Sequence, residues 1–162
     1  MNERKVLLIL IAIFAAIMTV ILCSIACNYG LAEDYYVLCK PGDRVNVRSK
    51  PSMASQVTAW VEFGQHVTAD IEKNGFMHVD GLASEVPEGW ICSGYLAEEE
   101  PRADKHRAEV WEGDVIARKW INGRRVCKLR EGRIVIVYAQ TNKWAVTSKG
   151  YIMCDWLREV DE

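Results

Sequence analysis

No two of the cysteines beyond residue 27, which are Cys39, Cys92, Cys127 and Cys154, stand in CxxC spacing. That argues against a zinc ribbon or a thioredoxin-like redox pair. No cysteine opens a helical segment, and the three histidines, His66, His78 and His106, fall on a strand, a strand and a charged stretch. A Cys-His hydrolase needs an acidified thiol and a histidine to take its proton. His78 and Cys92 could approach each other across a small barrel, yet a half-buried strand histidine and a core thiol explain them with less. No His, Asp or Glu pair has helical or hairpin ligand spacing. The run Glu98, Glu99, Glu100 reads as solvated, and no Gly-rich phosphate loop is present. Positive charge is lacking too: the formal net charge is -2, with no basic stripe of the kind that binds nucleic acid by counterion release. The expectation is a chain with no catalytic set, no metal site, no cofactor and no nucleic-acid partner.

What is present begins with an apolar run. "VLLILIAIFAAIMTVILCSIAC", Val6 to Cys27, carries no charge and follows Arg4 and Lys5. At about 1.5 Å per residue, a helix of that length crosses a hydrocarbon core of about 30 Å. The basic end is expected on the cytoplasmic side, with Glu33, Asp34 and all that follows outside. Three fates are open: an uncleaved single-pass anchor, a cleaved secretory signal, or a lipoprotein signal using Cys27 behind Ser24 and Ala26. Signal peptides have apolar regions of roughly 7 to 15 residues, so the length favours the anchor. Outside the cytoplasm the four later cysteines are free to pair, and buried free thiols are the simpler alternative.

After a connector over 28–42, the chain to Leu96 reads as short strands broken by turn residues. "VNVRS" alternates, "QVTAWV" and "QHVTADI" follow, "FMHV" comes after Asn74-Gly75, and "GWICSGYL" closes the set. Such a series suggests a small antiparallel barrel or sandwich. In the stretch 97–112, nine of sixteen positions are charged and Pro101 interrupts any helix, which predicts a linker without a core. Residues 113–157 then repeat the first pattern. Val115 falls on Val45, Arg118 on Arg48 and Gly132 on Gly64; an aromatic, Phe76 or Trp144, comes twelve residues after each glycine. "GWICSGYL" matches "GYIMCDWL". The length differences sit in connections, where insertions are tolerated.

The predicted core is Val45, Val47, Val57, Val61, Val67 and Ile91 in the first copy. In the second it is Val115, Ala117, Val126, Leu129, Val135, Val137 and Ile152. Cores this small supply only about 3–5 kcal/mol, so the copies are expected to lean on each other.

The opening "VNVRSKPSMASQV", the glycine of "VEFGQHV", the aromatic after "KNG" and the closing "GWICSGYL" together resemble the bacterial SH3, or SH3b, family. Its pattern runs N-V-R-x-x-P, K-x-G-x-x-V, N-G-W and G-W-V-x-x-x-Y-L. Residues 43–96 match along their length, with Phe76 where Trp is usual and Lys50 where Gly is usual. Residues 113–157 form a divergent copy that lacks the Asn and Pro of the opening motif. The resemblance implies small β-barrels that attach extracytoplasmic proteins to the bacterial cell wall. An acidic and aromatic ALYDY-like stretch of the eukaryotic polyproline binders is not apparent.

The expected architecture is thus all-β, with two tandem SH3-like barrels preceded by one transmembrane helix. Residues 1–5 form a cytoplasmic N-terminus, 6–27 the span in contact with the lipid bilayer, and 158–162 a tail. Because aromatic side chains mark recognition surfaces, the candidate ligand residues are Trp60, Phe76, Trp90 and Tyr95, with Asn46 and Arg48 as polar edges. For Trp90 the barrel core is an equal alternative, and for Arg48 a structural ion pair. Trp111, Trp120 and Trp156 are alternatives for packing the barrels together. Two functions fit: a non-catalytic, membrane-anchored binder of peptidoglycan or another envelope component, or a bitopic protein whose barrels dock a protein partner.

Overall fold

A computed structural model describes Ile13, Phe14, Ile17, Met18, residues 32–81 and residues 86–160. It divides the chain into two compact units, 1–31 and 32–162. In the first unit the four described residues are helical. The second unit contains two seven-stranded antiparallel sheets.

The first sheet comprises β1 (Glu33–Val37), β2 (Arg44–Arg48), β3 (Val57–Glu62), β4 (His66–Lys73), β5 (Phe76–Val79), β6 (Gly89–Cys92) and β7 (Leu96–Ala97). The second comprises β8 (His106–Val110), β9 (Val115–Arg118), β10 (Arg125–Leu129), β11 (Ile134–Gln140), β12 (Trp144–Thr147), β13 (Gly150–Met153) and β14 (Leu157–Glu159). The sheet orders are β3-β2-β6-β5-β4-β1-β7 and β10-β9-β13-β12-β11-β8-β14. Adding seven to each label of the first gives the second, so the repeat read from the sequence is a repeat of topology. Register agrees as well: Arg48 pairs with Trp90 where Arg118 pairs with Tyr151. A 3-10 turn precedes the last strand in both copies, at Ser93–Tyr95 and Cys154–Trp156.

Alternation explains how these strands face their cores. In β2, Val45 and Val47 are buried while Asn46 is exposed, as the period of two requires. Each sheet wraps its own cluster, the first around Val37, Val47, Val61, Val67, Val79 and Ile91. The second is built around Val110, Ala117, Val135, Val137, Ala145 and Ile152. Gly64 and Gly132 occupy equivalent turns before β4 and β11 with φ of +74° and +80°, a conformation that side chains other than glycine's disfavour.

Five expectations need correction. First, the transmembrane helix: among the described residues no helix is long and apolar enough to cross a membrane. A span needs about 20 predominantly apolar residues in one helix, and the described helical residues within 6–27 are two separated pairs, Ile13-Phe14 and Ile17-Met18. The rest of 6–27, with the expected bilayer contact and with Cys23 and Cys27, lies outside the described residues. The fold class is therefore corrected to all-β over residues 32–160, with no membrane-crossing helix among the described residues, and the single-pass placement that rested on that helix is unsupported.

Second and third, the barrels start earlier than expected. β1 lies in the presumed connector and β8 in the presumed linker, where charged residues hid an alternation of buried Ala108 and Val110 with more exposed neighbours. β1 is itself an acidic and aromatic strand, EDYYV.

Fourth and fifth, Val57 and Val126 are not core residues, with 39% and 55% of their surface exposed. Both strands carry a β-bulge. Arg48 pairs with Val57 while Val47 pairs with Ala59, and Arg125 and Cys127 pair with consecutive residues of β9, which leaves Val126 unpaired. The extra residue in β3 resets the in-out parity before Val57, which a count by twos cannot anticipate, whereas Val126, three residues from the buried Leu129, falls on the outward face by alternation itself. Val126→Thr is accordingly expected to change unfolding free energy by less than about 0.5 kcal/mol, measured by urea titration; a loss of about 2 kcal/mol, the size of a core defect, would return Val126 to the core.

The four described cysteines, Cys39, Cys92, Cys127 and Cys154, are free thiols, the first two buried. A third apolar cluster joins the barrels: Leu38 and Ala97 from the first with Val146 and Tyr151 from the second, flanked by Tyr95, Trp120 and Trp144 among others. The Tyr151 hydroxyl donates to the Leu38 carbonyl at 2.7 Å, and the Ile121 amide donates to the Gly94 carbonyl at 2.9 Å. The Asn142 amide donates to a Glu99 carboxylate oxygen at 2.9 Å. Of the three tryptophans considered for this interface, Trp120 serves it, whereas Trp111 and Trp156 are exposed.

Candidate functional site

The two barrels enclose a cleft of about 440 Å³, within the ordinary range for small-ligand sites. Local structure brings its walls together. The bend between β1 and β2 supplies Cys39, Lys40 and Asp43; the outward positions of β2 supply Arg44, Asn46 and Arg48. Phe76 enters from the start of β5, only 5% exposed, and the 3-10 turn sets Tyr95 beside it. The second barrel contributes Lys119, Trp120, Thr147 and Tyr151.

Four of the six residues expected to bind ligand, Asn46, Arg48, Phe76 and Tyr95, line this cleft, and Trp60 and Trp90 do not. Trp60 lies directly across from Asn46 on β3 and is 57% exposed, with the Arg44 guanidinium 5.1 Å above its ring. Trp90 is half-buried against His78, ring centroids 5.0 Å apart. Arg48 makes no ion pair with a carboxylate among the described residues. Its Nη1 donates to the Ser55 carbonyl at 2.8 Å, and Arg118 does the same to Gly123 at 2.9 Å in the second barrel. One nitrogen of each guanidinium thus pins the loop after its own strand.

The cleft is positive in a chain that is negative overall. Lys40, Arg44, Arg48 and Lys119 line it against one carboxylate, Asp43. Arg44 is paired with Glu62 at 3.1 Å. Lys40 and Lys119 lie 4.5 Å and 5.2 Å from the rings of Tyr138 and Trp120. No salt bridge to any of Lys40, Arg48 and Lys119 occurs among the described residues.

Burial raises the Cys92 thiol above its ordinary value, with the Gly94 backbone and the charges of Lys119 and Arg48 pulling the other way. It pushes Cys39 up to about 11, Asp43 adding to the effect. Tyr95 is raised by burial as well. Thiols held protonated are weak nucleophiles. His78 is engaged elsewhere, its Nδ1 2.9 Å from Asp70 and its Nε2 3.4 Å from Glu88. Among the described residues no group of three His, Cys, Asp or Glu side chains could hold a metal ion. The arrangement is suited to holding a ligand by charge, hydrogen bonds and aromatic contact.

No family model matches the chain, and no curated protein does. Solved structures do. The structure of NlpC1 from Trichomonas vaginalis is 18% identical over 81% of this chain and 47% of that one, with a TM-score of 0.35. The structure of NlpC2 from the same organism is 18% identical over 83% of this chain and 52% of that one, also with a TM-score of 0.35. The chain spans about half the length of each.

The repeat carries the groove with it. A second, smaller depression of about 220 Å³ lies on the second barrel, lined by Asp114, Val115, Ile116, Arg118, Trp144, Met153 and Trp156. Each has a counterpart in the larger cleft at the aligned position of the first barrel: Val115 answers to Val45, Arg118 to Arg48, Trp144 to Phe76, Met153 to Cys92 and Trp156 to Tyr95. Two changes alter its chemistry, since Asp114 stands where Arg44 is and Ile116 where Asn46 is. Sequence reasoning missed Lys40, Lys119, Trp120 and Tyr151 because they belong to bends or to the other barrel.

Proposed function

We propose that this chain is a non-catalytic binding protein whose two barrels, SH3b-like by their sequence motifs, hold a cell-envelope component such as peptidoglycan in the cleft between them. The observation that carries this reading is the cleft itself, a polar groove with interspersed aromatics built by both copies. A wall binder needs such a groove, whereas a dock for a protein partner presents one contiguous apolar patch. The protonated thiols and the engaged His78 favour binding over turnover.

Residues 32–162 hold both sheets and all three core clusters, so this fragment suffices for a test. Incubated with purified sacculi and centrifuged, it is expected in the pellet. Complete recovery in the supernatant would sink the wall-binding reading, and a stoichiometric cross-linked protein partner would put the docking function in its place.

A further inference from the structure

We propose that the inter-barrel cleft selects a free carboxylate of a short peptidic ligand, held between Arg48 of the first barrel and Lys119 of the second, and that the aligned groove on the second barrel does not share this preference. The inference rests on the binding function above and assigns its ligand chemistry.

Three observations carry it. The cleft concentrates positive charge against a single carboxylate, Asp43, with Lys40, Arg48 and Lys119 outside any salt bridge among the described residues while the chain as a whole is negative. The Arg48 guanidinium commits Nη1 to the Ser55 carbonyl, which restrains it at the cleft wall, and its other N–H groups make no hydrogen bond among the described residues. A guanidinium matches the planar, two-oxygen geometry of a carboxylate, and Lys119 adds a point charge from the opposite wall. Finally, Asn46, which can both donate to and accept from a peptide unit, borders the same space as the rings of Phe76, Tyr95 and Trp120. This suits a peptide that brings both backbone polar groups and apolar surface.

The second groove supplies an internal comparison. At the position of Arg44 it has Asp114, which pairs with Lys128 at 2.8 Å, and at the position of Asn46 it has Ile116. It keeps Arg118, but its lining contains no lysine among the described residues. The carboxylate preference is thus a property of the composite cleft, created by where the second barrel docks rather than by the repeated motif.

Residues 32–162 are titrated with N-acetyl-trialanine, with its C-terminal amide and with inorganic phosphate, each followed by backbone amide shifts in NMR spectra. The free acid is expected to shift amides around Asn46, Arg48 and Lys119 and to bind at least tenfold more tightly than the amide. Lys119→Gln should weaken the acid at least threefold and so narrow the ratio of acid to amide affinity, and an unchanged ratio would remove Lys119 from the carboxylate site. Equal affinity for acid and amide, no binding of either, or shifts centred on Arg118 and Trp156 would overturn the proposal. Phosphate binding as tightly as the peptide acid would overturn the assignment to a carboxylate. Sacculus sedimentation reports separately on the envelope-binding reading. A fragment that pellets with sacculi but fails to distinguish acid from amide keeps that reading and loses this one, and the reverse pair of results does the opposite.

Discussion

A Gly94→Val variant is expected to be about 2 kcal/mol less stable than the wild type and to melt on the order of 6–8 °C lower. A Cβ at Gly94 falls 2.1 Å from Cδ1 of Trp120, 2.6 Å from its Cγ and 2.9 Å from its Cβ. The indole cannot rotate away, because Gly123 supports it from another side, where an added methyl would lie only 2.4 Å from the same Cδ1. The valine must therefore expel Trp120 from the junction or push Gly94 and its 3-10 turn outward. Either movement breaks the Ile121 to Gly94 backbone hydrogen bond and loosens the cluster of Leu38, Ala97, Val146 and Tyr151. The larger consequence falls on the cleft, which loses Trp120 and displaces Lys119, the second barrel's charge. Thermal unfolding and tryptophan emission check this together: a lower midpoint with red-shifted emission is expected. An unchanged midpoint and spectrum would mean that Trp120 is not seated between the two glycines.

Much of this fold was legible because it occurs twice. The equivalences of Val45 with Val115, Arg48 with Arg118 and Gly64 with Gly132 rest on spacing alone, and sheet order and register repeat in step with them. Hydrophobic alternation located β2, β9 and β11 because one face of each is dry. It failed at Val57, where a bulge shifts the parity, while a core place for Val126 runs against the alternation that Leu129 and Cys127 set. It missed β1 and β8, in which charged and aromatic residues fill positions that face water or lie at the sheet margin.

The site was half legible for a related reason. Asn46, Arg48, Phe76 and Tyr95 belong to the repeated motif and were visible as a set, whereas Lys40, Lys119 and Trp120 join them only through the docking of one barrel on the other. Aromatic character alone did not sort the residues that line the cleft from those that do not. Trp60 is offered to solvent on a barrel face, and Trp90 leans on His78. What separates them from Tyr95 is position across the inter-barrel junction, and that is a property of tertiary packing.

Buried protons in both barrels and at their junction should make the protein alkali-sensitive, with a fall of several kcal/mol in unfolding free energy between about pH 9 and pH 11.5 under reducing conditions. Burial holds Cys39 up to about 11 from an ordinary 9.0, and Cys154 likewise to about 11. Cys92 is raised in the same direction. Tyr151 is raised far above its ordinary 10.0, chiefly by burial, while its hydroxyl proton is committed to the Leu38 carbonyl. In each case the folded group keeps a proton that the unfolded chain releases. Stability is therefore fully present below the unfolded value, near pH 9 for the thiols and pH 10 for the tyrosine. It declines above that by up to about 1.4 kcal/mol per pH unit per group until the folded group also ionises. Urea midpoints measured from about pH 8 to pH 11.5 test this, and a flat profile would refute the buried-proton account. Tyr151→Phe divides the contributions. At about pH 8 it should cost about 1–3 kcal/mol, because the buried Leu38 carbonyl loses its hydroxyl donor. Above about pH 10 its profile should fall less steeply than that of the wild type, since the phenylalanine has no proton to release. A variant profile parallel to the wild type throughout would place the sensitivity in the thiols alone, and would mean that the tyrosine proton bridging the two barrels is not held more tightly by the fold than by water.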